Sequence, residues 1–203
     1  MTILLLPGLY NSTEGHWQTI WENQLPDTRR VQQRDWDRPD RNEWVATLDA
    51  AIKGSEGPIV LAAHSLGCAL TAWWATMHHD APHASRVTGA LLVAPPDVER
   101  ADFPDFVPGF APMPRAALPF PSIVAASSDD PWCTPARAQS WAIGWGARFY
   151  DIGARGHINA ASGMGTWPQG QSWLAQLAAC RVFCSGFSDI STRLSWSCIE
   201  ANN

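Results

Sequence analysis

Pro58-Ile59-Val60-Leu61-Ala62-Ala63-His64-Ser65-Leu66-Gly67-Cys68-Ala69-Leu70 is the stretch whose reading decides the fold. It opens with a short apolar run rich in Ile, Val and Leu, the signature of a strand buried on both faces of a parallel sheet. It closes in a helical pattern that continues through Trp73, Trp74 and Met77. Between them Ala63-His64-Ser65-Leu66-Gly67 has the spacing of the G-x-S-x-G nucleophile elbow, with Ala in place of the first Gly. That chemistry needs a Ser on a sharp, strained strand-to-helix turn, where its hydroxyl stands above the sheet edge. Small residues two before and two after it let neighbouring backbone pass close by. The Ser would also stand at a helix N-terminus, where free backbone N–H groups can receive negative charge. The plainer alternative is a helix N-cap with no chemistry. What separates the two is whether an acid and a His follow in the right places.

Working outward, the same alternation recurs on both sides. Ile3 to Leu6 reads as a buried strand, and Pro7 to Ser12 as a loop. A helix is expected near His16 to Leu25, with Trp17, Ile20, Trp21 and Leu25 on one face. Val31 to Trp36 alternates like a strand. A second helix is expected with Asn42 as its cap and Gly54 at its end. Beyond the elbow, Val87 to Ala94, Ser122 to Ser127 and Ala147 to Ile152 read as strands, with helices from Pro135 and after Trp167-Pro168 to about Ala179. Strands alternating with helices imply an α/β fold: a mostly parallel sheet with helices on both faces. Pro95 to Pro121 breaks the rhythm. It holds eight of the sixteen Pro, too many for a long helix, and reads as an extended loop or small cap over the site. From Cys180 the texture turns Ser- and Cys-rich without a period. We therefore expect a domain over residues 1–180 and a C-terminal tail over 181–203. The tail is either disordered or, given Phe183, Phe187, Leu194, Trp196 and Ile199, an interaction segment.

Composition narrows the function. The 203 residues suffice for one α/β domain, and the net charge of -5 with no basic run gives nothing for nucleic acid or an anionic membrane to hold. No apolar stretch approaches the length of a membrane span. The apolar start lacks a basic leader and stops at Pro7-Gly8, so it reads as a strand and not a signal peptide. Five Cys, with no C-x-x-C, suggest neither a disulfide framework nor a zinc site, and a cytoplasmic protein is expected. The twelve Trp belong mostly in the core or in a pocket wall.

Ser65, Asp130 and His157 follow predicted strands in the order Ser…Asp…His, the α/β-hydrolase order. In that reading Ser65 attacks an acyl carbonyl, His157 shuttles the proton and Asp130 orients His157. The oxyanion would lie against the backbone N–H groups of Leu66 and Leu9, with Gly8 letting the loop turn towards the Ser. Asp97 and Asp129 also follow strands, but Pro131 biases Asp130 into one defined direction, and Asp129 suits a loop cap. Phe103, Phe106, Phe110 and Trp132 are the candidate substrate wall, with Met113 beside them. His64 is expected to support loop packing. His16, His78, His79 and His83 are expected at the surface or at helix ends, and no metal site is expected.

Taken together, these motifs resemble the small serine hydrolases grouped with YdeN and retinoblastoma-binding protein 9, in the α/β-hydrolase superfamily. The resemblance rests on Leu6-Pro7-Gly8 with His16-Trp17, the Ala63 to Cys68 elbow, Val93-Ala94-Pro95, and Ser128-Asp129-Asp130-Pro131. It extends to Gly156-His157-Ile158-Asn159 with Ser162-Gly163 and Trp167-Pro168. It runs from residue 2 to about 178 and leaves the tail unmatched. It implies a minimal α/β-hydrolase core lacking the first two strands of the superfamily sheet, with Asp130 as the acid. It implies a reaction type, serine hydrolysis, and not a substrate; on the triad, a cofactor-free hydrolase acting on a small-molecule acyl substrate, an ester or less readily an amide, is the first expectation. Acyl transfer and a binding or scaffold protein on the same fold are the alternatives.

Overall fold

In the computed structural model, residues 1–179 are described; the tail expected over 181–203 lies outside them. Six strands form one parallel sheet: β1 (Thr2–Leu6), β2 (Thr28–Arg30), β3 (Ile59–His64), β4 (Val87–Val93), β5 (Ser122–Ala126) and β6 (Arg148–Asp151), in spatial order β2-β1-β3-β4-β5-β6. The central strands are buried throughout, as their unbroken apolar runs require. Successive side chains divide between two cores. Leu4, Leu61, Ala63, Leu92 and Val124 face one; Leu5, Val60, Ala62, Leu91 and Ile123 face the other. On the first face lie α2 (Arg41–Lys53), α3 (Leu66–His78) and α4 (Pro135–Trp145), contributing Trp44, Trp74, Trp141 and Trp145. On the second lie α1 (Trp17–Gln24) and α5 (Pro168–Ala179), contributing Trp17, Trp21 and Trp173.

Caps explain most helix boundaries. The Thr134 hydroxyl accepts from the Arg137 N–H while Pro135 opens α4, and Gly146 closes it at φ 67°. Asp40, not Asn42, caps α2, by accepting from the Glu43 N–H at 2.9 Å; the expected cap was two residues late.

The expected strand over Val31 to Trp36 is not formed. The edge strand is Thr28–Arg30, polar in sequence and so without an apolar signal. Val31 makes one more backbone bond to Leu5 and the chain then leaves the sheet. Val31 and Gln33 are buried in alternation because this extended segment packs beside α2, where Trp44 donates from its indole to the Asp35 carbonyl. Alternating burial was therefore real, but it did not mark a ladder.

Between Val93 and Ser122 the chain forms no helix or strand, in keeping with its Pro content. The far half of this strap is anchored by side chains. Trp73 donates to the Phe110 carbonyl at 2.9 Å, Trp145 to the Pro114 carbonyl at 2.8 Å, and the Met113 N–H reaches Glu99 at 3.0 Å. Arg137 of α4 pairs with both Glu99 and Asp97.

Candidate active site

Ser65 sits between β3 and α3 at φ 52°, ψ −122°, a left-handed conformation unusual for any residue but Gly. Its N–H is held by the Val93 carbonyl at 2.9 Å, which ties the turn to β4. Two glycines make the turn possible. A Cβ on Gly67 would lie 2.1 Å from the Leu6 carbonyl oxygen, and one on Gly8 would lie 2.7 Å from the Ser65 Cβ. The Leu6–Gly8 backbone thus passes directly against the Ser. Leu9 and Leu66 border the same space, and neither backbone N–H donates a hydrogen bond among the described residues.

The loops after β5 and β6 bring the other two side chains in. His157 Nε2 accepts from the Ser65 hydroxyl at 2.8 Å, and its Nδ1 donates to Asp130, with both carboxylate oxygens at 2.9 Å. The Asp130 side chain is nearly fully buried and also accepts the Trp132 N–H. Asp129 turns away. It accepts from the Ser127 hydroxyl and the Gly156 N–H, each at 2.7 Å, and these two bonds hold its carboxyl below the usual range. Asp97 accepts the Glu99 N–H and pairs with Arg137, on the strap side.

A cavity of about 410 Å³ opens in front of Ser65. Its lining is partly apolar, with Leu9, Pro96, Phe103, Pro104, Val107 and Trp132, and partly polar, with Asn11, Thr13, His16 and Asn159. The Trp132 ring lies 6.4 Å from that of His157. Two expected wall residues are elsewhere. Phe110 is completely buried against Trp44, in the core of the α2 and α3 face, and Phe106 points to solvent without bordering the cavity. Met113 is likewise core. Aromatic identity alone could not say which side of an irregular strap each ring takes.

A distinct expectation follows for each ring. Phe103→Ala should shift the preferred acyl length of ester substrates with little change in stability. Phe106→Ala should change neither. Phe110→Ala should lower unfolding free energy by about 3–5 kcal/mol, as for a fully buried ring, with the acyl preference unaltered. Urea denaturation and an acyl-length series measure both.

The serine hydrolase family profile matches residues 3–176. The chain belongs to the serine hydrolase family. Among solved structures, this serine hydrolase is similar to a protein described as a YdeN-like hydrolase from Pectobacterium atrosepticum, at 31% identity over 88% of this chain and 91% of the other, TM-score 0.76. It shares its fold with the ydeN gene product of B. subtilis (19% identity, 88% and 98% coverage, TM-score 0.66). The same holds for Est1E from Butyrivibrio proteoclasticus (13%, 87% and 88%, 0.62). A search of curated proteins finds no match. The YdeN-like grouping and the α/β-hydrolase fold expected from the motifs are both shown.

Of the histidines expected at the surface or at helix ends, His16 opens α1 and His78 and His79 close α3, but they are not all exposed. His78 and His83 face the buried Asp49, His83 at 2.6 Å. Among the described residues, no group of three or more His, Cys, Asp or Glu could hold a metal ion, and no helix is long and apolar enough to cross a membrane. His16 caps α1, accepting the Gln18 N–H on Nδ1, yet it is buried and borders the cavity. Burial, then Arg30 and His157, push its pKa down from 6.5 to about 3. Between those values the unfolded chain takes up a proton that the folded one refuses. Stability from this source is complete above about pH 6.5 and is lost as the pH falls towards 3. The urea midpoint should therefore drop between about pH 7.5 and 5, and His16→Asn, which keeps a cap acceptor, should reduce that slope.

Proposed function

We propose that this serine hydrolase cleaves small carboxylic esters through an acyl-enzyme formed on Ser65, with His157 as the proton shuttle and Asp130 as its partner. One observation carries the reading: the unbroken chain of hydrogen bonds from the Ser65 hydroxyl through both nitrogens of His157 to Asp130. His157 takes the Ser65 proton as Oγ attacks the ester carbonyl, and the carbonyl oxygen becomes an oxyanion. The N–H groups of Leu66 and Leu9 are the donors for it in this reading, which is supported by both residues lining the cavity with N–H groups that donate to no other described residue. Collapse of the tetrahedral intermediate breaks the C–O bond, and His157 returns the proton to the leaving alcohol. Water then attacks the acyl-enzyme by the same steps and releases the carboxylic acid. Every proton and electron pair is handled by these groups, so the reaction needs no cofactor.

The substrate is a small molecule whose acyl chain lies against Leu9, Phe103, Val107 and Trp132. The two described thiols, Cys68 and Cys133, are free and buried, which fits a cytoplasmic enzyme. A fluorophosphonate probe followed by peptide mapping should place the adduct on Ser65, and p-nitrophenyl esters of rising acyl length should give a maximum in kcat/KM. Absence of both labelling and turnover would favour a binding protein on the same fold.

A further inference from the structure

We propose that His64 is a positioning residue for the reaction, holding the backbone of His157 from the position next to the nucleophile. The inference rests on the roles of Ser65 and His157 given above and deepens them. Strand alternation is the starting point. Ala63 faces the core under α2 and α3, so His64 faces the other side, among His16 and Trp17. There its Nε2 lies 2.8 Å from the carbonyl oxygen of His157. A carbonyl can only accept, so His64 carries its proton on Nε2 and leaves Nδ1 bare.

The loop that presents His157 has no regular structure to stiffen it. His157 stands between Gly156 at φ 54° and Ile158 at φ 49°. Its two central carbonyls are nevertheless both held. His64 takes that of His157, and the Trp17 indole donates to that of Ile158 at 3.1 Å. Asp130 fixes the ring of His157, and Asp129 and the Arg155 carbonyl hold the N–H groups of its neighbours Gly156 and Ile158; the bond from His64 is the one that holds the carbonyl of His157 itself. Because Ser65 follows His64 directly, a single dipeptide sets both the nucleophile and the backbone of its base. Misplacement of reacting groups by about 1 Å is enough to lower a rate roughly 10²-fold.

The donor must also be neutral, since His157 becomes an imidazolium during the reaction and the two rings are 4.9 Å apart. The ionisable groups facing His64 are His16, 4.6 Å away and edge-on, and His157. Burial first, then these two neighbours, keep its pKa well below the ordinary value. A Lys or Arg making the same bond would set a permanent positive charge against the imidazolium.

The test compares His64→Phe, which keeps a ring but no donor, with His64→Gln, which keeps a neutral donor. Kinetics on a p-nitrophenyl ester are combined with ¹⁵N NMR of the wild-type imidazoles. His64→Phe should lower kcat by about 10- to 100-fold per folded molecule with KM nearly unchanged, and His64→Gln should recover much of the loss. Wild-type His64 should show the Nε2–H tautomer and no titration between about pH 5 and 9. Unchanged kcat in His64→Phe, a His64→Gln variant as impaired as His64→Phe, or a titrating or Nδ1–H His64 would each overturn the proposal. If His64→Phe does not fold, His64→Gln and the NMR still decide. The tautomer is read without turnover, so failure of the Ser65 assignment would be seen separately, as an active Ser65→Ala enzyme.

Discussion

Ser65→Ala should give a folded protein whose kcat on esters is lower by about 10⁴- to 10⁶-fold. Among the described residues, the Ser65 side chain caps no backbone group of α3, and its one hydrogen bond is the one to His157. On the proposed function, removing the hydroxyl therefore takes away the attacking atom and little else. Ala meets the same backbone strain at φ 52° as Ser does, so the turn gains no new penalty. His157 remains held by Asp130 through its ring and by His64 through its main chain. The residual rate would come from the oxyanion donors and from binding alone. Thermal denaturation should superimpose on that of the wild type. Near-normal ester turnover by the purified variant would sink the assignment of the nucleophile.

Asp130→Asn should lower kcat by about 10⁴-fold. The carboxylate accepts from His157 Nδ1, which leaves Nε2 bare and facing the Ser65 hydroxyl as a base. An amide can turn its NH₂ group to Nδ1 instead. The imidazole proton would then move to Nε2, where it opposes the proton that must leave Ser65. Asp129 and Asp97 provide the controls. In Asp129→Asn the remaining oxygen can still accept from Ser127 and Gly156, so most activity should persist. Asp97→Asn weakens the pair with Arg137, so its effect should fall on stability. Steady-state kinetics of the three variants decide the matter. A dead Asp97→Asn beside an active Asp130→Asn would move the acid to β4 while leaving the Ser–His pair in place.

What could be read from sequence follows from physical constraint. Buried parallel strands must be continuous apolar runs, so β3, β4 and β5 were visible within a residue or two. The elbow was visible because Gly67 stands where no side chain fits. The three strand-end residues could be placed because each follows a legible strand. An edge strand of Thr-Arg-Arg carries no such mark, and the buried alternation just beyond it misled. Phe103, Phe106 and Phe110 look alike on paper, since an irregular strap has no period from which to read direction. His16 was legible as a helix end. Its burial was not, because a polar cap shows its environment only through tertiary neighbours such as His64 and Trp17.

The strap between β4 and β5 separates two tasks along its length. Residues 110 to 114 are fastened to Trp44, Trp73, Trp145 and Glu99, while residues 103, 104 and 107 border the cavity. Anchor and wall are thus spelled by different letters of one segment. A lineage can rewrite the exposed part of the wall, and with it, on the proposed function, its range of esters, without loosening the fold or touching the hydrogen-bond chain from Ser65 to Asp130. A combinatorial library confined to Phe103 and Pro104 should therefore yield many stable enzymes of divergent taste, whereas the same diversity at Phe110, or at Val107, which borders the cavity but is also buried in the core, should yield few that fold.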